Sequence, residues 1–245
     1  MDGLINATGT STDGANDGWR RAGAGGSIQI TAETLAGAGS ILAAGGNGNG
    51  SFTNTRGGGG GRLSVSLTGS GADFGDFTGV VNARAGNAGL GTPLAGVGSI
   101  FMSYADQGPG AGLVIFDNFD AYSASANAHY SLLTSEDFSA MDVVVRNRAL
   151  LELNTDRNLA SLFLDDESRL LLSNASTTIV QSLVINSFTY TPGLYDATDL
   201  GSQVTGDGFI SVIPEPAAVY TGLVIMLAAF FVKRRLKLRP SGSNL

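Results

Sequence analysis

Asn147-Arg148-Ala149-Leu150-Leu151-Glu152-Leu153-Asn154 reappears in outline as Glu167-Ser168-Arg169-Leu170-Leu171-Leu172-Ser173-Asn174. Val143, Val145, Leu151 and Leu153 recur at one constant offset as Leu162, Leu164, Leu170 and Leu172, and Ser161-Leu162-Phe163-Leu164 is echoed by Ser182-Leu183-Val184-Ile185. Apolar residues at every second position line one face of a strand, whereas a helix gathers every third or fourth. The alternation and the β-branched content of 176–185 therefore predict strands, with Leu151, Leu153, Leu170 and Leu172 inward and Leu150 outward. A unit of about 20 residues with two inward-facing strands suits one coil of a parallel β-helix. Regularly spaced short strands also fit a β-sandwich, which is the alternative architecture.

A longer repeat precedes this one. Leu4-Ile5-Asn6-Ala7-Thr8-Gly9, Ile41-Leu42-Ala43-Ala44-Gly45 and Val80-Val81-Asn82-Ala83-Arg84-Ala85-Gly86 are short apolar segments that end in glycine. Gly26-Ser27-Ile28-Gln29-Ile30-Thr31, Gly61-Arg62-Leu63-Ser64-Val65-Ser66 and Gly98-Ser99-Ile100-Phe101-Met102-Ser103 are alternating strands led by glycine. The steps from Ile5 to Ile41 to Val81 nearly equal those from Gly26 to Gly61 to Gly98, so two strand families share one period. A single unit cannot bury its own apolar face, but stacked units can, which is the logic of a solenoid. On this reading the glycines form corners that need positive φ, and Gly57 to Gly61 form an exposed loop.

The 245 residues are 43% hydrophobic, which suffices for a core. Thirty of the 36 glycines lie in residues 1–112 and none lies between Leu113 and Pro192, which marks a boundary near Gly112. Three parts are expected: a glycine-rich β-repeat region 1–112, β-helix coils with closing strands 113–213, and a separate segment 214–245. Residues 1–232 carry nine basic and 21 acidic groups, a balance of −12, so the body repels phosphate backbones and no nucleic-acid partner is expected. Cysteine is absent, which excludes disulfides and thiolate metal sites. The chain opens inside a repeat and without a basic-then-apolar leader, so a signal peptide upstream of Met1 is expected.

Catalytic motifs are missing. His129 is the only histidine and sits in a polar stretch, the first lysine is Lys233, and there is no Gly-x-Ser-x-Gly elbow. A multi-histidine zinc site, a P-loop and a serine-hydrolase elbow are thus excluded. No enzyme activity and no cofactor are expected. Asp165-Asp166-Glu167, at a corner between coils, offers hard oxygen ligands for calcium, although a solvated turn is the simpler reading. Gly45-Gly46-Asn47-Gly48-Asn49-Gly50 loosely resembles a calcium-binding nonapeptide, but it is single and has Asn49 where Asp belongs, so it is rejected. Trp19, Tyr104, Tyr122 and Tyr130 could stack on sugar rings.

The C-terminus carries the most specific signal. Val212-Ile213-Pro214-Glu215-Pro216 leads into 217–232, which holds no charge, and then into Lys233-Arg234-Arg235. A helix over that run is about 24 Å long, short of the roughly 30 Å hydrocarbon core. Snorkelling basic side chains and local thinning still allow one transmembrane span at 217–232. The basic tail 233–245 then lies in the cytoplasm. The prolines hold the preceding chain extended.

This order of elements resembles the PEP-CTERM sorting signal. The resemblance implies processing by a membrane-embedded exosortase at or near the motif Pro214, Glu215 and Pro216, with Lys233, Arg234 and Arg235 as the cytoplasmic anchor. Residues 113–213, through their paired L-x-L strands and the closing stretches Tyr190 to Tyr195 and Thr205 to Val212, resemble the terminal coils of bacterial autotransporter-associated β-strand-repeat surface proteins.

The expectation is an all-β, parallel β-helix-like solenoid with glycine-rich turns and one C-terminal transmembrane α-helix. It would be an exported structural or adhesive protein of the bacterial cell surface or biofilm matrix. It would pass through an inner-membrane intermediate and be released or displayed after processing. Its partners would be the exosortase, the membrane and an exopolysaccharide. The alternative is a β-helix polysaccharide lyase or hydrolase using Asp165, Asp166 and Glu167, with Arg146 and Arg148 nearby. A third reading is a passenger fragment whose functional domain lies upstream.

Overall fold

The computed structural model describes residues 1–12, 21–48, 55–88, 95–119, 131–132 and 138–214. The N-terminal half contains β1 (Leu4–Asn6), β2 (Ser27–Ala32), β3 (Ser40–Leu42), β4 (Arg62–Leu67), β5 (Val80–Asn82) and β6 (Ser99–Tyr104). There follow β7 (Gly112–Asp117), β8 (Ser131–Leu132), β9 (Phe138–Arg146), β10 (Leu150–Leu153), β11 (Arg157–Leu164) and β12 (Arg169–Leu172). The last strands are β13 (Thr177–Ile185), β14 (Phe188–Thr189), β15 (Gly193–Asp196), β16 (Val204–Gly206) and β17 (Phe209–Val212). The described residues are all-β apart from one 3-10 turn at Ala105–Gln107. None of their helices is long and apolar enough to cross a membrane. Glu215, Pro216, the expected span 217–232 and the basic tail with Lys233, Arg234 and Arg235 lie outside the described residues.

The repeat spacings are the pairing registers. Ile5 pairs with Ile41 and Ile41 with Val81 in the parallel sheet β1-β3-β5, and Leu63 lies between Ile28 and Ile100 in β2-β4-β6. In the C-terminal half Leu151 pairs with Leu170 and Leu153 with Leu172, while Leu162 lies between Val143 and Leu183, again all parallel. Each repeat therefore gives one short strand to a narrow sheet and one longer strand to a ten-stranded sheet, β15-β17-β13-β11-β9-β7-β6-β4-β2 with β14 beside β13. Leu151, Leu153, Leu170 and Leu172 are fully buried, as expected, and Leu150 is half-exposed.

The sheets are not uniformly parallel. Strand β7 runs antiparallel to β6, with Ile100 opposite Ile115 and Phe101 opposite Val114, and it runs parallel to β9. The ten-stranded sheet thus continues across the compositional boundary at Gly112 but reverses strand direction there. The covered face changes at the same place. Leu63, Val65, Leu67, Ile100 and Ile115 pack with Ile41, Ala43 and Ala83 on one face. Val114, Phe116, Val143, Val145, Leu162 and Leu164 pack with Leu151, Leu153, Leu170 and Leu172 on the other. The hand of a crossover depends on strand direction and covered face together. Reversing both keeps one hand throughout, which the fixed twist of strands demands.

The glycine-rich segments correct the expected picture of corners and an exposed loop. Gly57, Gly58 and Gly61 are buried, and among the described glycines only Gly37, Gly71, Gly108, Gly110, Gly201 and Gly206 have positive φ. Instead, residues 21–26, 55–61 and 95–98 form one layer over a second made of 7–12, 43–48 and 83–88. Ala22 and Gly25 donate sideways to the carbonyls of Arg56 and Gly59, both at 2.9 Å, while Gly23 and Gly26 donate across to Thr10 and Ala7 at 2.8 and 2.7 Å. Donor direction repeats every third position, the period of polyproline II, rather than every second. Gly58 donates to Gly46 and Gly86 donates to Gly58, both at 2.9 Å, so backbone lies directly on backbone. A Cβ on Gly58 would come within 1.8 Å of the Gly23 carbonyl oxygen, and one on Gly86 within 1.8 Å of that of Gly46. Glycine is required here for its missing Cβ, as at the axis of collagen, and these interlayer bonds satisfy the buried backbone groups.

The C-terminal end is closed by non-repeating chain. Strand β15 pairs antiparallel with β17, and the rings of Phe188, Tyr190 and Tyr195 meet edge to face at 4.9 and 5.1 Å over the end of the core. Among the described residues the last ladder bond runs from the Ile213 N–H to the Val180 carbonyl at 2.8 Å.

Candidate functional site

Asp165, Asp166 and Glu167 sit in the turn between β11 and β12, against the turn between β9 and β10. In that second turn Asn147 and Arg148 have φ of 55° and 64°, a two-residue left-handed turn that asparagine tolerates. Asp165 serves it. Its Oδ2 accepts the Asn147 N–H at 2.6 Å, and its Oδ1 accepts the N–H groups of Ser168 and Glu167 at 2.8 and 3.2 Å. Glu167 pairs with Arg148 at 3.0 Å on an exposed surface, where such pairs contribute little. Asp166 is exposed.

One level below, buried Asp117 accepts Arg146 Nε at 2.6 Å, Asn147 Nδ2 at 2.8 Å and the Phe119 N–H at 2.8 Å. The corner is a stack of carboxylates that fasten successive turns. Of the three carboxylates that a calcium site or a lyase would use, Asp165 is taken up by backbone donors and Glu167 pairs with Arg148, while Arg146 is held by Asp117. Among the described residues, no group of three His, Cys, Asp or Glu side chains is placed to hold a metal ion.

Neighbouring residues of the corner are unequally engaged, and their substitutions should differ accordingly. Asp165→Ala removes the acceptor of three backbone donors and is expected to lower unfolding free energy by about 2 kcal/mol, whereas Asp166→Ala should stay within about 0.5 kcal/mol. Urea denaturation measures both. Equal small effects would mean that the corner carries no stability.

The other candidates divide between packing, the glycine layers and the undescribed segments. Tyr104 ends β6, is half-buried and packs against the N-terminal core, so its ring serves packing. Gly45, Gly46 and Gly48 of the rejected nonapeptide donate their N–H groups to the carbonyls of Arg84, Gly23 and Asn87 in the layers. Trp19, Tyr122, His129 and Tyr130 lie outside the described residues. Of the expected sorting motif, Pro214 is described: it is exposed and directly follows Ile213, the last of the described residues tied into the ladder.

An arginine-bearing surface was missed by sequence reasoning. In the outer layer Arg21 bridges to Arg56, and Ser27 pairs with Arg62, which pairs with Ser99. Positions 21, 24 and 27 and positions 56, 59 and 62 are each three apart, so they share the outward side of chains with a period of three. Arg21, Ala24, Ser27, Arg56 and Arg62 are exposed, as this requires. Between the arginine rows lies a floor of Ala24, Gly59 and Gly96. A shallow cleft of about 230 Å³ runs beside Arg21 and Arg56. A larger cavity of about 520 Å³ opens beside Arg62 and is lined by Phe101, Phe116, Phe138, Ser99 and Ser131. The signal in the sequence was the triplet spacing of Arg56, Gly59 and Arg62, hidden by reading the glycines as a loop.

No protein-family model, curated protein or solved structure matches the chain.

Proposed function

We propose that the chain is an exported, non-enzymatic scaffold of the cell surface or extracellular matrix. Its body is a parallel β-helix-like solenoid, and its C-terminus is a PEP-CTERM segment processed by an exosortase. The observation that carries this reading is the place of the motif beside the described sheet. Among the described residues Ile213 makes the last ladder bond, and the next residue opens the Pro-Glu-Pro motif. Proline biases the residue before it toward extended backbone, so a motif that begins directly after the ladder suits capture by an enzyme. The charge-free run and basic flank that follow are the elements of a single span with its cations inside.

Parallel pairing of each strand with its counterpart one repeat later, in both halves, supports stacked coils over the antiparallel pairing of a β-sandwich. A stack tied by backbone bonds and carboxylate corners suits a load-bearing or display role. In this role the precursor is held in the inner membrane and the mature body is released or displayed outside, in contact with exopolysaccharide.

The test is a motif variant in a host that supplies an exosortase and a signal peptide. Replacing Pro214, Glu215 and Pro216 with alanine is expected to leave full-length chain in the inner-membrane fraction, while the unaltered chain is shortened and leaves it. The same fractionation and size for both chains would overturn the assignment of the motif.

A further inference from the structure

We propose that the outer face of the glycine layers is a binding groove for an acidic polysaccharide, with Arg21, Arg56 and Arg62 as its cationic contacts. The proposal deepens the scaffold reading above by naming the class of polymer and the surface that meets it.

Three features place the polymer there. The first is shape. Arg56 and Arg62 stand six positions apart along one extended segment, a distance of about 19 Å at the polyproline rise. The intervening floor of Ala24, Gly59 and Gly96 has almost no side chain, so an extended polymer can lie flat between the arginine rows.

The second is charge. Residues 1–112 hold five arginines and seven acidic groups, whereas residues 113–213 hold four arginines and 13 acidic groups. The balances are −2 and −9, so a polyanion is turned away from the C-terminal half and meets its cations on this face. Among the described residues no carboxylate lies within 4.0 Å of the guanidinium groups of Arg21, Arg56 or Arg62. Their planar forks match a carboxylate two bonds at a time. The fourth described arginine of this half, Arg84, is on the opposite layer and donates to Ala85, Asn87 and Asn47.

The third is the cavity at the Arg62 end. Half-buried Phe101 and Phe138 supply aromatic surface and the Ser99 hydroxyl supplies a polar contact, while the wall behind them is buried Phe116 and Ser131, whose hydroxyl donates to the Val97 carbonyl. A pyranose ring has an apolar face of C–H groups and a polar rim, and a uronate adds a carboxylate for Arg62. A volume of about 520 Å³ is in the range of small-molecule sites. Duplex nucleic acid fits less well, because its charge is packed at one per roughly 1.7 Å and meets the repulsion of the acidic half in full, and single strands are an outcome of the test.

The test uses the purified full chain in a non-ionic detergent, with polygalacturonate as the probe, dextran as a neutral polymer and oligo-dT as a single-stranded nucleic acid. Affinity electrophoresis should show retardation by polygalacturonate alone, relieved by about 0.5 M salt. The double variant Arg56→Ala/Arg62→Ala should weaken binding about tenfold, and Arg169→Ala, on the other half, should leave it unchanged. Ala24→Glu puts a like charge on the exposed floor and should also abolish retardation, which guards against a folding defect in the double variant. Equal retardation by dextran, stronger retardation by oligo-dT, no retardation at all, or binding indifferent to these substitutions would each overturn the groove. Processing at residues 214–216 is read separately, so failure of the groove and failure of the sorting assignment are distinguishable.

Discussion

Gly58→Ala is expected to destabilise the N-terminal half by at least about 3 kcal/mol, whereas Gly59→Ala, at the next position, is expected to be neutral or slightly stabilising. The added methyl at position 58 would lie 1.8 Å from the Gly23 carbonyl oxygen and 2.5 Å from its carbon, both backbone atoms tied into the layer. Nothing flexible can give way, so the neighbouring chains of that layer must part, and the bonds that Gly58 makes to Gly46 and Gly86 in the second layer are strained with them. Ordinary overpacking costs about 1–3 kcal/mol, and a clash with fixed backbone lies at or above the top of that range. At position 59 the methyl would point outward, with its nearest neighbour, the Gly96 oxygen, at an ordinary 3.6 Å. The substitution there also restricts the unfolded chain, which is worth roughly 0.4–1 kcal/mol where the backbone conformation is compatible. Chemical denaturation followed by circular dichroism separates the two. Equal tolerance at both positions would return residues 57–61 to the status of a loop.

Leu153→Asp and Leu172→Asp are each expected to remove cooperative unfolding altogether. The two side chains are fully buried and pair with each other in adjacent parallel strands. Either change leaves a cavity worth about 2–5 kcal/mol and adds a carboxylate with no cation to meet it. The sum rivals the whole stability of a typical domain, about 5–15 kcal/mol. Leu150→Asp is the control. Residue 150 is half-exposed and stands opposite Arg169, so a carboxylate there gains a cross-strand partner, and the change should stay within about 1 kcal/mol. Equal effects at 150 and 153 would mean that the register is wrong by one position.

The register was legible because side chains carried it. Leucines at 151, 153, 170 and 172 alternate against polar or outward neighbours, and the offset from repeat to repeat is visible wherever apolar residues repeat at it. The reversal at β7 was not legible. Val114, Ile115 and Phe116 are all buried, because β7 lies where one core ends and the other begins on opposite faces. A strand covered on both faces shows an unbroken apolar run, which has no parity to read. The glycine layers were misread for a related reason. Glycine has no side chain with which to display a period, so a lattice of buried backbone looks like a flexible loop until Arg56, Gly59 and Arg62 are counted in threes. At the acidic corner, the turn was read in the right place. The engagement of Asp165 depends on Asn147, in the turn of the preceding repeat, and becomes apparent only when the parallel strands are paired.

The most direct measurement is the intact mass of the mature protein from a host with its exosortase and from the same host without it. Exosortase-positive cells are expected to yield a mature chain ending near Pro214 to Pro216, without residues 217–245, and exosortase-negative cells only chain that retains Leu245. Mature surface protein that keeps Leu245 in both hosts would contradict it and reduce the C-terminal segment to a plain anchor.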